Sequence, residues 1–216
     1  MKIFGTPLSP FVRKVLIVAH LKGITIEFKM VTPHAEDEAF KAASPFGLVP
    51  AIDDDGFLLS DSSAIALYLE RRYPTPPLLP GDAKAYGRAL WLEEFGDSIL
   101  GKACGNLAFQ TAFAPRLFNR AVDEALVKKY SEEDVPAALT YLESVIPGCG
   151  FLTGDDFSLA DASVIAALMA LTLASYTVED KQWPKVTSYM KRALEHPAVA
   201  GEFERMIQTA KIVGIF

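Results

Sequence analysis

Ser9-Pro10-Phe11-Val12, Gly47-Leu48-Val49-Pro50-Ala51-Ile52 and Ser60-Asp61-Ser62-Ser63-Ala64-Ile65 follow one another between Met1 and Tyr73, and their order decides the fold. Lys2-Ile3-Phe4 reads as a short strand in front of the first motif. Pro10 to Leu21 reads as a helix with Val12, Val15, Leu16 and Ala19 on one face, and Gly23 sits where it would end. Ile26, Phe28 and Met30 alternate with Thr25, Glu27 and Lys29, which predicts a half-buried strand. A short helix over about 35–42 follows. Strands near 49–52 and 57–59 then flank Asp53-Asp54-Asp55-Gly56, and a helix starts at Ser62 and ends near Arg72. The element order is βαβ, then ββα.

Beyond this unit, residues 74–84 carry four prolines and a glycine, which read as a connector because proline disfavours helix at itself and at the preceding residue. Past it the apolar periodicity is helical almost throughout, with helices expected near 83–110, 115–128, 132–146, 158–175, 183–194 and 198–210. The expected organisation is an α/β unit over 1–76 and an all-helical unit over 83–216. Ser158-Leu159-Ala160-Asp161 opens the most apolar helix with a capping box. Phe157, its candidate staple, would face only Ala162.

The 216 residues are half apolar and carry a net charge of -6 without a dense Lys/Arg run, which excludes a nucleic-acid surface. Cys104 and Cys149 make no disulfide framework, so a reducing, cytoplasmic setting is expected. His20, His34 and His196 are scattered and no metal-ligand spacing occurs, so no metal is expected. Met1-Lys2-Ile3-Phe4 does not resemble a signal peptide. The run Ala162–Ala174 falls short of the roughly 20 residues of a membrane span.

Ser9-Pro10 is a favourable helix start, with Ser as cap and Pro at the first helical position. A hydroxyl there can also donate to an anion that the helix dipole favours. A hydrogen bond to a charged group is worth about 1.5–3 kcal/mol, so a bound thiol would lose on the order of one to two pKa units if only the thiolate is bonded. No His or carboxylate neighbours Ser9 and no Gly-x-Ser-x-Gly elbow occurs, so a serine-hydrolase triad has no support. Val49-Pro50 precedes a strand, where a cis bond would turn the Val49 main chain toward a peptide ligand. Asp61 and Ser62 cap a helix. They also suit an amino-acid head group, with Asp61 accepting from an ammonium while Ser62 and the helix N–H groups hold a carboxylate.

Together with Arg13-Lys14-Val15 and Ala66-Leu67-Tyr68-Leu69, these motifs make the chain resemble a cytosolic glutathione transferase of a serine-type, bacterial-like class over nearly its whole length. The resemblance implies a thioredoxin-like N-terminal domain, an all-α C-terminal domain and a homodimer. It implies that Ser9 activates the sulfur of glutathione, the co-substrate, for attack on a hydrophobic electrophile. Leu48, Val49, Pro50, Asp61 and Ser62 would bind the tripeptide. Leu48 stands where many relatives carry Lys or Gln, so Lys41 or His34 could supply the missing donor. The electrophile would lie between the loop Gly5–Ser9 and the helices after the connector. Trp91 and Phe95 could serve that cleft, and Asp97, Gly101, Cys104 and Ala108 form a small-residue face that either lines it or packs on a neighbouring helix. Gly and Ala at 96, 101, 103, 105 and 108 could let the long helix approach a twin. A glutathione-dependent isomerase, dehalogenase or peroxidase would share the thiolate, and a non-catalytic partner-binding module would share only the fold.

Overall fold

The computed structural model describes residues 1–216. The N-terminal unit runs β1 (Lys2–Gly5), α1 (Pro10–Leu21), β2 (Glu27–Met30), α2 (Glu38–Ala43), β3 (Ala51–Asp54), β4 (Phe57–Ser60) and α3 (Ser62–Arg72). Its mixed sheet has the order β2-β1-β3-β4, with β1 parallel to β2 and β3 antiparallel to both neighbours. Gly5 closes β1 beneath α1, where an added Cβ would stand 2.5 Å from a Val12 methyl. This close approach seats the turn that leads into Ser9.

One strand departs from its expected pattern. Met30 is 54% exposed, while the Lys29 ammonium lies 5.8 Å from the Phe4 ring centroid and 2.6 Å from Asp37. β2 is an edge strand, and only Ile26 and Phe28 pack on the core. Alternation therefore fails at its end, where no further strand covers Met30.

After the connector come α4 (Ala83–Glu94), α5 (Gly101–Ala108), α6 (Ala114–Leu117), α7 (Glu124–Lys129), α8 (Val135–Val145), α9 (Leu159–Leu173), α10 (Pro184–Leu194) and α11 (Pro197–Ile212). α4, α5 and α6 form one continuous helical run, joined by wide-turned π segments at Phe95–Leu100 and Phe109–Phe113. The expected helix over 115–128 does not exist as a unit. The chain leaves the helix at Phe118 and re-enters through Asp123, whose carboxylate caps α7. No helix is long and apolar enough to cross a membrane.

α9 is the axis of the molecule, with every residue from Leu159 to Leu171 buried. The run 83–117 can approach it because Gly96 carries no Cβ; one there would stand 2.9 Å from the Ser163 and Val164 backbone. A single apolar cluster joins Val12, Val15 and Leu16 of α1 to Val164, Ile165 and Leu168 of α9, so both units share one core.

The capping box at Ser158 and Asp161 forms as expected, but it holds more than a helix end. Asp161 is fully buried, and its Oδ2 accepts from the Ser158 N–H at 2.9 Å and hydroxyl at 2.5 Å. Its Oδ1 accepts from the Leu152 N–H at 2.9 Å and the Tyr189 hydroxyl at 3.0 Å. Burial pushes its carboxyl up from the usual range, and these four donors pull it back. Phe157 packs against the Phe151 and His196 rings, so the staple is built with aromatic partners from elsewhere in the chain. Asp161→Ala is therefore expected to cost about 3 kcal/mol or more, above an ordinary cap, because it strands several buried donors. Urea denaturation checks this; a loss below about 1 kcal/mol would contradict the bonded node.

Candidate functional site

Ser9 caps α1 in an extended conformation, and its Oγ accepts the Val12 N–H at 3.4 Å. An accepting hydroxyl keeps its own proton for another acceptor. The turn before it is pinned from below by Arg13. This fully buried guanidinium donates through one nitrogen to the Pro7 carbonyl at 2.8 Å and the Leu8 carbonyl at 3.0 Å, and through the other to Ala166 of α9 at 2.6 Å. Thr6 Oγ1 accepts from the Leu8 N–H at 3.4 Å, so it belongs to the same turn.

The second wall is the segment Ser44–Pro50. Ser44 is buried, and its hydroxyl both accepts the Leu48 N–H at 2.9 Å and donates to the Leu48 carbonyl at 2.7 Å. Leu48 is 57% exposed and the Val49-Pro50 bond is cis. Of the two candidate donors near this segment, Lys41 is turned to Glu36 and Glu38. His34 instead lies against the segment, its main-chain N–H bonded to the Gly47 carbonyl at 2.7 Å.

Asp61 opens α3 with φ 79°, a left-handed conformation that costs a non-glycine residue on the order of 1–3 kcal/mol and that clusters at ligand sites. Its Oδ1 accepts the N–H groups of Ser63 at 3.0 Å and Ala64 at 2.9 Å. The N–H of Ser62, at the first helical position, has no intrahelical acceptor, and Asp61 Oδ2 takes no hydrogen bond from the chain. One acceptor and one donor are thus held side by side at an exposed helix start.

Ser62 is itself buried, and its hydroxyl points inward to Asp97 Oδ2 at 3.3 Å. Behind it lies a charged cluster. Lys14, on α1 and fully buried, donates to Glu93 at 2.6 Å, Asp97 at 2.5 Å and Ser63 Oγ at 3.0 Å. Ser163 of α9 donates to the other Asp97 oxygen at 2.9 Å. The sequence alone assigns no role to Lys14, Glu93 or Ser163, and it puts Asp97 on a face that either lines the cleft or packs on a neighbouring helix. A signal was present: Arg13 and Lys14 interrupt the otherwise apolar run Val12–Ala19, and Glu93 and Asp97 stand one helical turn apart.

The small-residue face resolves as packing. Gly101, Cys104 and Ala108 are buried, and burial pushes the Cys104 thiol well above its ordinary value, making it inert. Gly96, Gly101, Ala103 and Ala108 are buried within the chain, so of the five small residues only the half-buried Gly105 is left to face a twin. Trp91 and Phe95, with Ile99, Lys102, Tyr130 and Tyr141, line a groove of about 540 Å³ that none of Ser9, Val49, Asp61 and Ser62 borders. No group of three or more His, Cys, Asp or Glu side chains is placed to hold a metal ion.

A thioredoxin-like sheet with a hydroxyl at the start of α1, a cis-proline strand and an acid-serine pair opening α3, all docked on a helical unit, defines a class of proteins that bind a thiol peptide. The family described as glutathione S-transferase, N-terminal domain, matches residues 3–77, and its C-terminal domain matches residues 109–201. The chain is 35% identical to glutathione S-transferase 3 of Zea mays over 179 residues, covering 81% of this chain and 79% of that one. A solved glutathione S-transferase III in apo form is 30% identical with a TM-score of 0.78, covering 93% of this chain and 94% of that one. A glutathione S-transferase-I bound with lactoylglutathione superposes with a TM-score of 0.84 at 22% identity, over 95% of this chain and 99% of that one. The chain belongs to the glutathione S-transferase family.

Proposed function

We propose that this glutathione transferase activates glutathione with Ser9 and directs the thiolate at a small hydrophobic electrophile. One observation carries the reading. The Ser9 oxygen accepts the Val12 N–H, which leaves its own proton free to donate at the N-terminus of α1, where the dipole also favours an anion. A sulfur held there is bonded only as thiolate, and no general base is required. Val49 would pair its main chain with the tripeptide, with Leu48 and Pro50 flanking it. Asp61 Oδ2 would take the γ-glutamyl ammonium and the Ser62 N–H its carboxylate, since the Ser62 hydroxyl is spent on Asp97. On this reading we propose a serine-type class, and, because the proline-rich connector lies between them, a glutathione-binding unit over 1–76 and a helical unit over 83–216. A structure with bound glutathione tests it: sulfur farther than about 4 Å from Ser9 Oγ would remove the serine from the reaction.

We infer a homodimer on different grounds from the small-residue helix. Phe46 is 83% exposed, and Phe57, Leu58, Leu67, Tyr86 and Trp91 are each more than a third exposed on β4, α3 and α4. β4 is also a free sheet edge. So much exposed apolar surface calls for a cover. Light scattering at micromolar concentration is expected to give about twice the 23.5 kDa of one chain. A mass of one chain would leave the exposed face unexplained by self-association. Two free thiols and no disulfide support a reducing cytoplasm as the setting.

A further inference from the structure

Three buried side-chain nitrogen and oxygen atoms lack a hydrogen-bond partner: Arg13 Nε, Glu202 Oε1 and Glu202 Oε2. Both side chains are fully buried, Arg13 on α1 and Glu202 on α11, and α1 packs on α11. Buried charges are kept where a compensating charge faces them, and uncompensated ones are expelled or neutralised. Glu202 meets His20 of α1 at 3.4 Å and Arg205 of its own helix at 3.6 Å, both longer than a hydrogen bond. Arg205 in turn stacks over Phe28 of β2 at 5.5 Å. Burial lowers the Arg13 guanidinium to about 9, and the Glu202 charge is what opposes that fall.

One terminal nitrogen of the same guanidinium holds the carbonyls of Pro7 and Leu8, the residues that deliver the chain to Ser9, and the other holds Ala166. We propose that Arg13 is a positioning residue for the activating hydroxyl and that Glu202, from the last helix, is the buried counter-charge that keeps it in place. This rests on Ser9 as the thiol activator. α11 then acts on the site without touching it. Glu202 supplies an opposite charge for the buried guanidinium, one guanidinium nitrogen holds two carbonyls, and the carbonyls set the direction of the Ser9 hydroxyl. Lysine cannot replace this arrangement, since one ammonium cannot present a planar fork to Pro7 and Leu8 on one side and Ala166 on the other. The cations around Glu202 are His20 of α1 at 3.4 Å, Arg205 of α11 at 3.6 Å and Arg13 of α1 beyond the 4.0 Å of an ion pair; burial raises the Glu202 carboxyl and these three charges oppose the rise.

The test compares the pH dependence of kcat/KM for glutathione and an aromatic halide in wild type, Arg13→Lys, Glu202→Gln and Ser9→Ala, and in the Ser9→Ala/Glu202→Gln double variant. Glu202→Gln keeps the shape of the side chain and removes its charge, so it tests the idea even where Arg13 variants fold poorly. Both Arg13→Lys and Glu202→Gln are expected to raise the apparent pKa of the bound thiol. At pH 7 each is expected to lower kcat/KM by about 10-fold, short of the ~100-fold that a displacement of about 1 Å can cost. Glu202→Gln in the Ser9→Ala background is expected to add little, because the hydroxyl it positions is already gone. A normal Ser9→Ala shift with an unshifted profile in Glu202→Gln and Arg13→Lys would overturn the positioning role alone, whatever happens to the melting temperature. Full additivity in the double variant would do the same. An unshifted Ser9→Ala profile would overturn the activation reading instead.

Discussion

Ser9→Ala is expected to slow conjugation at pH 7 by about 10- to 100-fold, because losing a charge-assisted hydrogen bond of about 1.5–3 kcal/mol raises the bound thiol by on the order of one to two pKa units. The deficit is expected to shrink as pH rises. Above the pKa of the bound thiol in both proteins the sulfur is ionised without help, so the rates converge. Below both values the two profiles run parallel at their widest separation. Affinity for glutathione is expected to change little, since Val49, Asp61 and the start of α3 are untouched. Ser9 also caps α1, so a stability loss of about 0.5–2 kcal/mol accompanies the change and is read separately by urea denaturation. Ser9→Cys is expected to trade conjugation for mixed-disulfide formation, because a thiol at a helix start becomes a nucleophile itself. Superimposable pH–rate profiles for wild type and Ser9→Ala would reduce Ser9 to a helix cap and pass the activating role to the dipole or to Thr6.

Most of the fold was legible because its signals are local. The proline at the start of α1, the Ser158–Asp161 box before an apolar run, and the proline-rich connector each specify a backbone event within a few residues. The elements placed badly depend on distant partners. Met30 is turned outward because β2 is an edge, which the alternation of that strand alone does not state. The break at Phe118–Asp123 follows helical-looking sequence and carries no proline or glycine to mark it.

The site divides the same way. Ser9, Asp61 and Ser62 could be named because each opens a helix and its residue type suits the position. Their supporting groups could not. Lys14 and Asp97 lie 83 residues apart, and only the docking of α1 and α3 on the run after the connector brings them to 2.5 Å. Charged residues in a helix usually read as its solvated face. Here two cations occupy the face that is buried between the units.

Lys14→Met is expected to have the largest cost to folding of any single change beside the site, about 3–5 kcal/mol, because it leaves two buried carboxylates without their cation. The side chains of Glu93 and Asp97 are only 7% and 17% exposed, so solvent cannot take over. The two are not equivalent. Asp97 keeps the hydroxyl of Ser62 and a share of those of Ser63 and Ser163, the latter divided with the Glu93 carbonyl, whereas the Glu93 carboxylate keeps only a share of that of Ser63, whose single proton cannot serve both acids. Adding Glu93→Gln to Lys14→Met is therefore expected to restore more than half of the loss, and adding Asp97→Asn to restore less. Asp97→Asn leaves one accepting oxygen for three hydroxyls and so weakens the hold on the Ser62 hydroxyl at the start of α3, and alone it is expected to raise KM for glutathione severalfold with a smaller change in kcat. Urea denaturation of the five proteins, with glutathione kinetics for Asp97→Asn, checks both parts. Equal rescue by the two second changes would mean that the hydroxyls do not divide the acids in this way, and an unchanged KM would separate the cluster from the head-group site.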